Sequence, residues 1–299
     1  MKNLKQPNTI RHEQDFVDLL AEVRPTLHRY CTRLTGSVFD GEDLVQQVLT
    51  KAFDRLHDSL PITNPQSWLF TIAHNSLIDQ HRARQARPEG HLAEAQNMPE
   101  TPLQQGLDDL DWLMSLPPMQ RSVLVLNNGF GYSAKQCAEL CHTTEVAIKS
   151  ALARARQHLK AYQPASKAPA LSSADDVRLR LYTDLFNQRE FDALLALTLD
   201  EVKLDMVAKA QMSGREDIRF YFNNYNGLDT WHAEPGRVNG QPAMLMFEPQ
   251  VSRTQPQYVV LVEHEGEALK RIQDFRYARY VMDSADWQPL NALTQESLT

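Results

Sequence analysis

A short helix, a tight turn and a long amphipathic helix near the middle of the chain constrain the fold most. Ser133 and Gln136 form a capping-box pattern at the start of a short helix, Ala134 to Leu140. The turn Cys141-His142-Thr143 follows, and a longer helix is predicted from Thr144 to about Tyr162. This arrangement is typical of a helix-turn-helix, whose last helix fits the major groove of DNA.

The long helix has one apolar face and one basic flank. An apolar stripe at helical spacing is formed by Ile148, Leu152, Ala155 and Leu159. Lys149, Arg156 and Lys160 lie together about a quarter of a turn away. An earlier helix, Pro118 to Leu126, is predicted to end at the Asn128-Gly129 break. We therefore expect the stripe to be buried and the basic flank to remain exposed.

Residues 10–86 are also predicted to be helical. Apolar residues recur every four positions at Leu44, Val48, Ala52 and Leu56. Asp40, Glu42 and Asp43 stand at the start of this helix, where the helix dipole favours negative charge. The next helix begins near Asn64-Pro65, an N-cap residue followed by proline at the first helical position. It ends in the basic run His81, Arg82, Arg84 and Arg87.

Two stretches without clear periodicity divide the chain, and both are rich in proline and small residues. The predicted organisation is a helical bundle over residues 10–86, a linker over 87–107, a helix-turn-helix domain over 108–162, a second linker over 163–174 and a third domain over 175–285. The sequence shows no internal repeat.

The third domain changes character along its length. Helical patterns at Val177 to Phe186 and Phe191 to Leu197 precede short runs rich in β-forming residues. The predicted strands are Val202 to Val207, Ala243 to Phe247, Tyr258 to Val262 and Leu269 to Tyr280, with a helix at Arg215 to Asn223 among them. Helices followed mainly by strands predict an α+β domain with a curved sheet over helices.

Charge alone does not indicate DNA binding. The formal net charge is −7, but residues 1–162 carry 17 Lys and Arg against 18 Asp and Glu, so most of the negative excess lies in residues 163–299. A DNA-binding protein that acts alone is usually basic, whereas a subunit of a larger complex can rely on its partner to attract phosphate. The sequence contains no apolar run of the roughly 20 residues that span a bilayer and no apolar signal-peptide core, so we expect a cytoplasmic protein without membrane contact.

The three cysteines are Cys31, Cys137 and Cys141, too few for a disulfide framework and consistent with a reducing compartment. Cys137 and Cys141 share a helical face near His142, but a fourth ligand is not evident nearby. We therefore predict no metal site, no cofactor and no catalytic residue.

Two blocks of motifs occur in order within residues 10–162. The first consists of Asp43-Leu44-Val45-Gln46-Gln47-Val48, then Trp68-Leu69-Phe70-Thr71-Ile72-Ala73-His74-Asn75 and Ile78-Asp79. The second consists of Leu116-Pro117-Pro118-Met119-Gln120-Arg121, Gly131-Tyr132-Ser133, Ala138-Glu139-Leu140 and Val146-Ala147-Ile148-Lys149-Ser150. These blocks resemble region two and region four of extracytoplasmic-function (ECF) sigma factors of bacterial RNA polymerase. The resemblance implies two all-α domains, the region-two helical bundle and the region-four helix-turn-helix, in a non-enzymatic transcription subunit.

The resemblance implies three sets of contacts. Core RNA polymerase would be bound through Asp43, Leu44, Gln46 and Gln47. The minus-ten element of promoter DNA would be read as single-stranded bases through Asn64, His74, Asn75, Arg82 and Arg84. The minus-thirty-five element would be read in duplex form through Thr144, Lys149, Ser150, Arg154 and Arg156.

The chain departs from the family pattern in region four. Ala151 and Ala153 stand where basic or polar residues are common, and Asn127-Asn128 replace a charged pair. These changes leave fewer side chains to read the minus-thirty-five element.

The third domain resembles the SnoaL-like extension of some ECF sigma factors. The resemblance is carried by Tyr182-Thr183-Asp184-Leu185-Phe186-Asn187, Val202 to Met206, Gly214-Arg215, Tyr221-Phe222, Gly240 to Ala243 and Ile272 to Tyr280. It implies an α+β cone-shaped barrel with a pocket, acting as a regulator of the sigma regions. Candidate pocket residues are Asp205, Trp231, His232 and Asp274. Alternatively, Asp205 and Asp274 face solvent or pair with Arg215 or Arg276.

Three other functions remain open. A ligand-sensing transcription factor would need a pocket on the order of several hundred Å³ for its small molecule. A SnoaL-like isomerase or cyclase with a DNA-binding appendage would need a poised acid or base. A helix-turn-helix repressor would have no need of the motifs between Asp43 and Asp79.

Overall fold

The computed structural model describes residues 9–85, 110–160, 162, 173–228 and 230–290. The chain divides into two compact units, an N-terminal unit of residues 1–166 and a C-terminal unit of residues 167–299. Each unit has its own hydrophobic core. The first predicted linker, 87–107, and nearly all of the second, 163–174, lie outside the described residues. No helix in the described ranges is long and apolar enough to cross a membrane.

Three long helices begin the N-terminal unit: α1 (Glu13–Thr35), α2 (Val38–Ser59) and α3 (Pro65–Gln85). Gly36 ends α1 in the left-handed region at φ 83°, and its N–H donates to Thr32 O at 2.8 Å. Ser37 then caps α2 by accepting the Phe39 N–H at 3.2 Å. Asn64 caps α3 as predicted, because its side-chain oxygen accepts the Ser67 N–H at 3.1 Å.

The helices of the segment that resembles region four follow as α4 (Leu110–Met114), α5 (Pro118–Leu124), α6 (Ala134–Leu140) and α7 (Glu145–Lys160). A π-helical turn, Val125–Gly129, extends α5 beyond its predicted pattern. The capping box is confirmed: Ser133 Oγ accepts the Gln136 N–H at 3.2 Å, and Ser133 N–H donates to Gln136 Oε1 at 2.9 Å. The predicted stripe of α7 is buried, which confirms the helix-turn-helix.

Helices from both regions share one core, and a buried serine lies at their junction. Ser122 Oγ of α5 is 2.7 Å from Tyr30 Oη of α1 and 2.8 Å from His74 Nδ1 of α3. All three side chains are almost completely buried. If Tyr30 donates to Ser122 and Ser122 donates to a neutral His74, each of the three groups is satisfied. Burial lowers the pKa of His74 to about 4, which agrees with a neutral imidazole.

Further contacts hold region four against region two. The buried guanidinium of Arg121 donates to Leu34 O in the last turn of α1, where the helix dipole favours a cation. The ring of Phe130 lies 5.7 Å from that of Tyr30 and 4.9 Å from that of Phe70. The two regions therefore form one packed body, joined by polar and aromatic contacts.

The described part of the C-terminal unit contains three α-helices and a seven-stranded sheet. The helices are α8 (Ser173–Asn187), α9 (Phe191–Ala196) and α10 (Arg215–Asn226). The strands are β1 (Thr198–Met206), β2 (Ala210–Ser213), β3 (His232–Val238), β4 (Gln241–Phe247), β5 (Tyr258–Glu265), β6 (Ala268–Asp274) and β7 (Trp287–Pro289). This architecture confirms the predicted α+β class.

The sheet is open, so the expected cone-shaped barrel was wrong. The strand order is β2-β1-β6-β5-β4-β3-β7, in which only the β1–β6 pair is parallel. Within the described residues the edge strands β2 and β7 do not pair with each other. These two edge strands are short, with four and three residues.

The predicted last strand, Leu269 to Tyr280, was too long. β6 ends at Asp274, whose Oδ1 accepts the Arg276 N–H at 2.8 Å and so favours a turn. A 3₁₀ helix, Arg279–Ser284, follows. The strands β2, β3 and β7 were not predicted. In β3, Pro235 and Gly236 hide the pattern, although a side chain at Gly236 would collide with Gln288 O of the neighbouring strand.

Aromatic and aliphatic side chains fill the space between sheet and helices. Phe186, Tyr221, Phe222 and Tyr225 pack among Met244, Val260 and Ile272. The cavity left at this position measures about 10 Å³, enough for one water molecule at most. The pocket of several hundred Å³ expected of a ligand sensor is therefore absent from this described interior.

Replacing Ser122 with alanine should destabilise the N-terminal unit, because Tyr30 Oη and His74 Nδ1 would both be left without a buried partner. The expected decrease in unfolding free energy is about 2 to 6 kcal/mol, at roughly 1 to 3 kcal/mol for each of the two unsatisfied groups. Urea unfolding of a chain ending at Ser166 measures this decrease in unfolding free energy. Ser150→Ala, at an exposed serine, is the matched control. Equal unfolding free energies for the two variants would contradict the proposed role of Ser122.

The stability of the same chain should also depend on His74 below neutral pH. Its folded pKa is about 4 against an ordinary 6.5, so between these values the unfolded chain binds a proton that the folded chain does not. The contribution of His74 to the unfolding free energy is therefore fully present above about pH 6.5 and is lost as the pH drops toward 4. The slope of the unfolding free energy against pH should be shallower in the His74→Gln variant by up to about 1.4 kcal/mol per pH unit. His28, another buried histidine, is present in both proteins and cancels in the comparison. Parallel pH profiles of urea unfolding would refute this assignment.

Candidate nucleic-acid and polymerase interfaces

Helix α7 offers an exposed face opposite its buried stripe. Thr144 caps the helix, because its Oγ1 accepts the Ala147 N–H at 3.2 Å. At 3.6 residues per turn, the centre of the exposed face is formed by Val146, Ser150, Ala153 and Gln157. Cationic side chains stand on both sides of this centre, with Lys149 and Arg156 on one side and Arg154 on the other.

All five residues predicted to read the minus-thirty-five element lie on the exposed surface of α7 or at its cap: Thr144, Lys149, Ser150, Arg154 and Arg156. Lys149 Nζ pairs with Glu145 Oε1 one turn earlier at 2.6 Å, which orients the ammonium group along the helix. The positive end of the helix dipole lies at the same end as Thr144 and adds to the attraction for phosphate. The arrangement suits a duplex with phosphates at the flanks and base edges at the centre.

The residues predicted to read the minus-ten element are spread along α3. Asn64 is exposed at the cap, and Asn75 is half-buried. Arg82 is exposed, and its Nη1 lies 3.9 Å from Asp79 Oδ1. The side chain of Arg84 is outside the described residues. Asn64 and Arg82 are thus open to a partner, although they are more than four turns of helix apart.

His74 lies differently from the expectation. Its side chain is 4% exposed and is covered by Ser122 of region four. A contact between His74 and DNA would require region four to separate from α3. The sequence pattern of α3 alone does not reveal this burial, because the covering residues are about 50 positions away.

The helix predicted to bind polymerase is α2, and its polar side chains are held in place. Gln46 Nε2 donates to Glu42 Oε1 at 2.7 Å, and Gln80 Nε2 of α3 donates to Gln47 Oε1 at 2.9 Å. Asp43 and Gln47 are exposed. The prediction that Leu44 contacts polymerase is not supported by its position in this structure. Its side chain is 1% exposed and packs in the core, so it offers no surface to a partner.

Asp43 and Gln47 line a groove of about 350 Å³ together with Met114 and Pro118 of region four. The surface predicted to meet polymerase therefore borders the start of region four. A partner that covers this groove would contact both regions at once.

The four candidate pocket residues are not brought together. Asp205 lies on the outer face of the sheet and pairs with Arg271 at 3.4 Å. Asp274 lies on the opposite, helix-covered face, two residues along from Ile272. Trp231 is half-buried against Tyr225, and His232 is exposed at the start of β3. Asp205 thus pairs with a cation as the alternative proposed, although the cation is Arg271.

Asp274 is fully engaged in hydrogen bonds. Its Oδ2 accepts from Tyr225 Oη at 2.7 Å and Tyr221 Oη at 3.1 Å, and its Oδ1 accepts the Arg276 N–H. Burial raises the pKa of this carboxyl, and the hydrogen bonds oppose that rise. With only about 10 Å³ of space nearby, the geometry fits a structural carboxylate better than a general base.

Larger depressions in this unit are open to solvent and contain several charged side chains. One of about 550 Å³ is lined by Asp175, Arg178 and His264, and another of about 740 Å³ by Asp205, Asp217 and Arg271. Their charged groups largely pair with one another. Neither depression resembles the mostly apolar enclosure typical of small-molecule sites.

The cysteines are buried, and burial raises the pKa of the Cys137 thiol to about 11 and that of Cys141 to about 12. Burial also raises the pKa of Cys31. Thiols in this state are protonated at neutral pH and therefore weakly nucleophilic. The described residues contain no group of three or more His, Cys, Asp or Glu side chains suited to a metal ion.

Two features of the site were not predicted from the sequence. The Tyr30–Ser122 pair joins residues 92 positions apart, and no local pattern signals it. Val146 was quoted only as part of a motif, yet it is 77% exposed. A helical projection from the predicted stripe would have placed Val146 on the outer face.

The Sigma-70 region 2 family matches residues 19–87, and the Sigma-70 region 4 family matches residues 110–159. The ECF RNA polymerase sigma factor SigG of Mycobacterium tuberculosis is 28% identical over 227 residues, covering 64% of this chain and 61% of SigG. The chain thus spans less than two thirds of that relative. The crystal structure of SigJ, an ECF sigma factor of the same species, covers 86% of this chain and 95% of SigJ at 19% identity, with a TM-score of 0.35.

A shorter relative is covered almost completely. The ECF RNA polymerase sigma factor EcfG of Rhodopseudomonas palustris is 31% identical over 166 residues, covering 54% of this chain and 91% of EcfG. The matched families agree with the two regions predicted from the sequence and with the helix-turn-helix in the structure. The chain therefore belongs to the family of ECF RNA polymerase sigma factors.

Proposed function

We propose that this protein binds core RNA polymerase, recognises the minus-ten and minus-thirty-five elements of its promoters and starts transcription. The observation that carries the proposal is the exposed face of α7, flanked by Lys149, Arg154 and Arg156 and rigidly supported by a buried stripe. Polymerase would be met by the exposed polar residues of α2, chiefly Asp43 and Gln47.

Recognition of both elements requires a change within the N-terminal unit. In the packed arrangement His74 is covered by Ser122, and the groove beside Asp43 is bordered by Met114. We propose that binding to polymerase separates region four from region two and exposes the inner face of α3. New interactions with polymerase and DNA would then offset the breaking of the buried hydrogen bonds.

The C-terminal unit is proposed to be a SnoaL-like domain that tunes this activity. Its open sheet packed over helices supports a fold of this general kind. Because its interior holds only about 10 Å³ of space, tuning through contacts with protein surfaces is better supported than tuning through an enclosed small molecule.

Run-off transcription with purified core polymerase tests the function. The template is a promoter selected with the protein itself, and the full chain is compared with a chain ending at Ser166, which retains a complete core. Initiation at a defined site by either chain supports the sigma function. A difference in transcript yield between the two chains shows whether the C-terminal unit activates or inhibits transcription. Failure of both chains to bind polymerase would refute the proposed function, and equal yields would refute the tuning role alone.

Removing single charges from α7 should weaken binding to all promoters alike. For Lys149→Ala, Arg154→Ala and Arg156→Ala, we expect the slope of log K against log salt to fall by about one for each phosphate that the variant no longer binds. Arg253→Ala, at an exposed position of the C-terminal unit, is the control. The measurement is a salt titration of holoenzyme on promoter DNA, and unchanged slopes in all three variants would show that α7 is not the duplex-binding helix.

A further inference from the structure

The first turn of α7 carries the most exposed large apolar side chain among the described residues. Val146 is 77% exposed, against 65% for Val177, the next most exposed. Single exposed apolar residues are common and usually need no explanation. What distinguishes Val146 is its place at the centre of a face bordered by cations.

The charges around Val146 fit a duplex. Lys149 lies on one side of the central line and Arg154 on the other, so that phosphates on either side of a groove have a cation to meet. The acidic neighbour Glu145 is paired with Lys149 at 2.6 Å. In helix-turn-helix proteins the N-terminal residues of this helix contact base edges, and Val146 stands two residues beyond the cap.

An apolar side chain at this position can read only one feature of the major groove. The groove presents hydrogen-bond donors and acceptors for every base pair, and the C5 methyl of thymine is its one apolar group. Val146 has two methyl groups and no polar atom beyond its backbone. Ala153 lies two turns further along the same face, and its small side chain leaves room for the DNA to approach the helix closely there.

We infer that Val146 contacts the C5 methyl group of a thymine in the minus-thirty-five element and thereby contributes to promoter specificity. The inference rests on the proposed function, because it requires α7 to lie in the major groove. It adds a specificity determinant that depends on apolar contact, beside the cations that attract phosphate.

The experiment removes the methyl group from the DNA and the side chain from the protein. Holoenzyme is formed from the full chain and core polymerase, and its affinity is measured on a selected promoter in which each thymine of the minus-thirty-five element is replaced in turn by deoxyuridine. Val146→Ala is compared with the native protein. Val177→Ala, at an exposed valine of the C-terminal unit, is the matched control.

We expect one thymine at which deoxyuridine weakens native binding by about fourfold, the effect of one buried methyl group. Val146→Ala should weaken binding to the thymine promoter by a similar factor and show no further decrease with deoxyuridine at that position. Val177→Ala should behave as the native protein. If the holoenzyme binds the promoter but the effects of Val146→Ala and of deoxyuridine add, or if neither change has an effect, this inference alone is overturned. Absence of specific promoter binding by the native holoenzyme would overturn the proposed function as well.

Discussion

The Ser122 hydroxyl is the group on which the packing of the N-terminal unit depends. Apolar contacts such as those of Phe130 allow small shifts, whereas a buried hydroxyl must meet its partners at hydrogen-bond distance. By meeting Tyr30 of α1 and His74 of α3 together, Ser122 fixes α5 in one position against two helices. Arg121 beside it adds a charged contact with the end of α1. A few polar contacts therefore fix the position of α5 relative to α1 and α3 within the apolar core.

This polar junction also controls which surfaces are available. The outer face of α7 and the exposed positions of α2 are open in the packed arrangement, whereas part of α3 is closed. For the proposed reading of two DNA elements, such a junction would keep one surface covered until the partner is present. Buried polar contacts serve this purpose because they are specific when closed and are readily hydrated when open.

Local patterns in the sequence were sufficient for the helices but not for the contacts between them. The stripe from Ile148 to Leu159 and the cap at Ser133 depend on neighbouring residues, and both were predicted correctly. The family resemblance implied a DNA contact for His74, whereas the side chain is buried against Ser122, a residue 48 positions away that no local pattern connects with it. In the C-terminal unit, β7 has only three residues, and Pro235 within β3 obscures its sequence pattern, so neither strand shows the alternation that identifies strands. The order of the strands in the open sheet likewise depends on pairing between distant segments, which no local motif reveals.

The π-helical turn at Val125–Gly129 has a consequence for how this protein tolerates change in length. A π turn contains one residue more than the α turn it replaces, and here it lies directly before Phe130 and Tyr132. A π turn of five residues and an α turn of one residue fewer rotate the chain by nearly the same angle. Deleting one residue from it would therefore restore α-helical geometry and leave the ring that meets Tyr30 directed into the same core. Region four thus tolerates a change of one residue in length here, whereas in a purely α-helical segment such a deletion would rotate all that follows by about 100°.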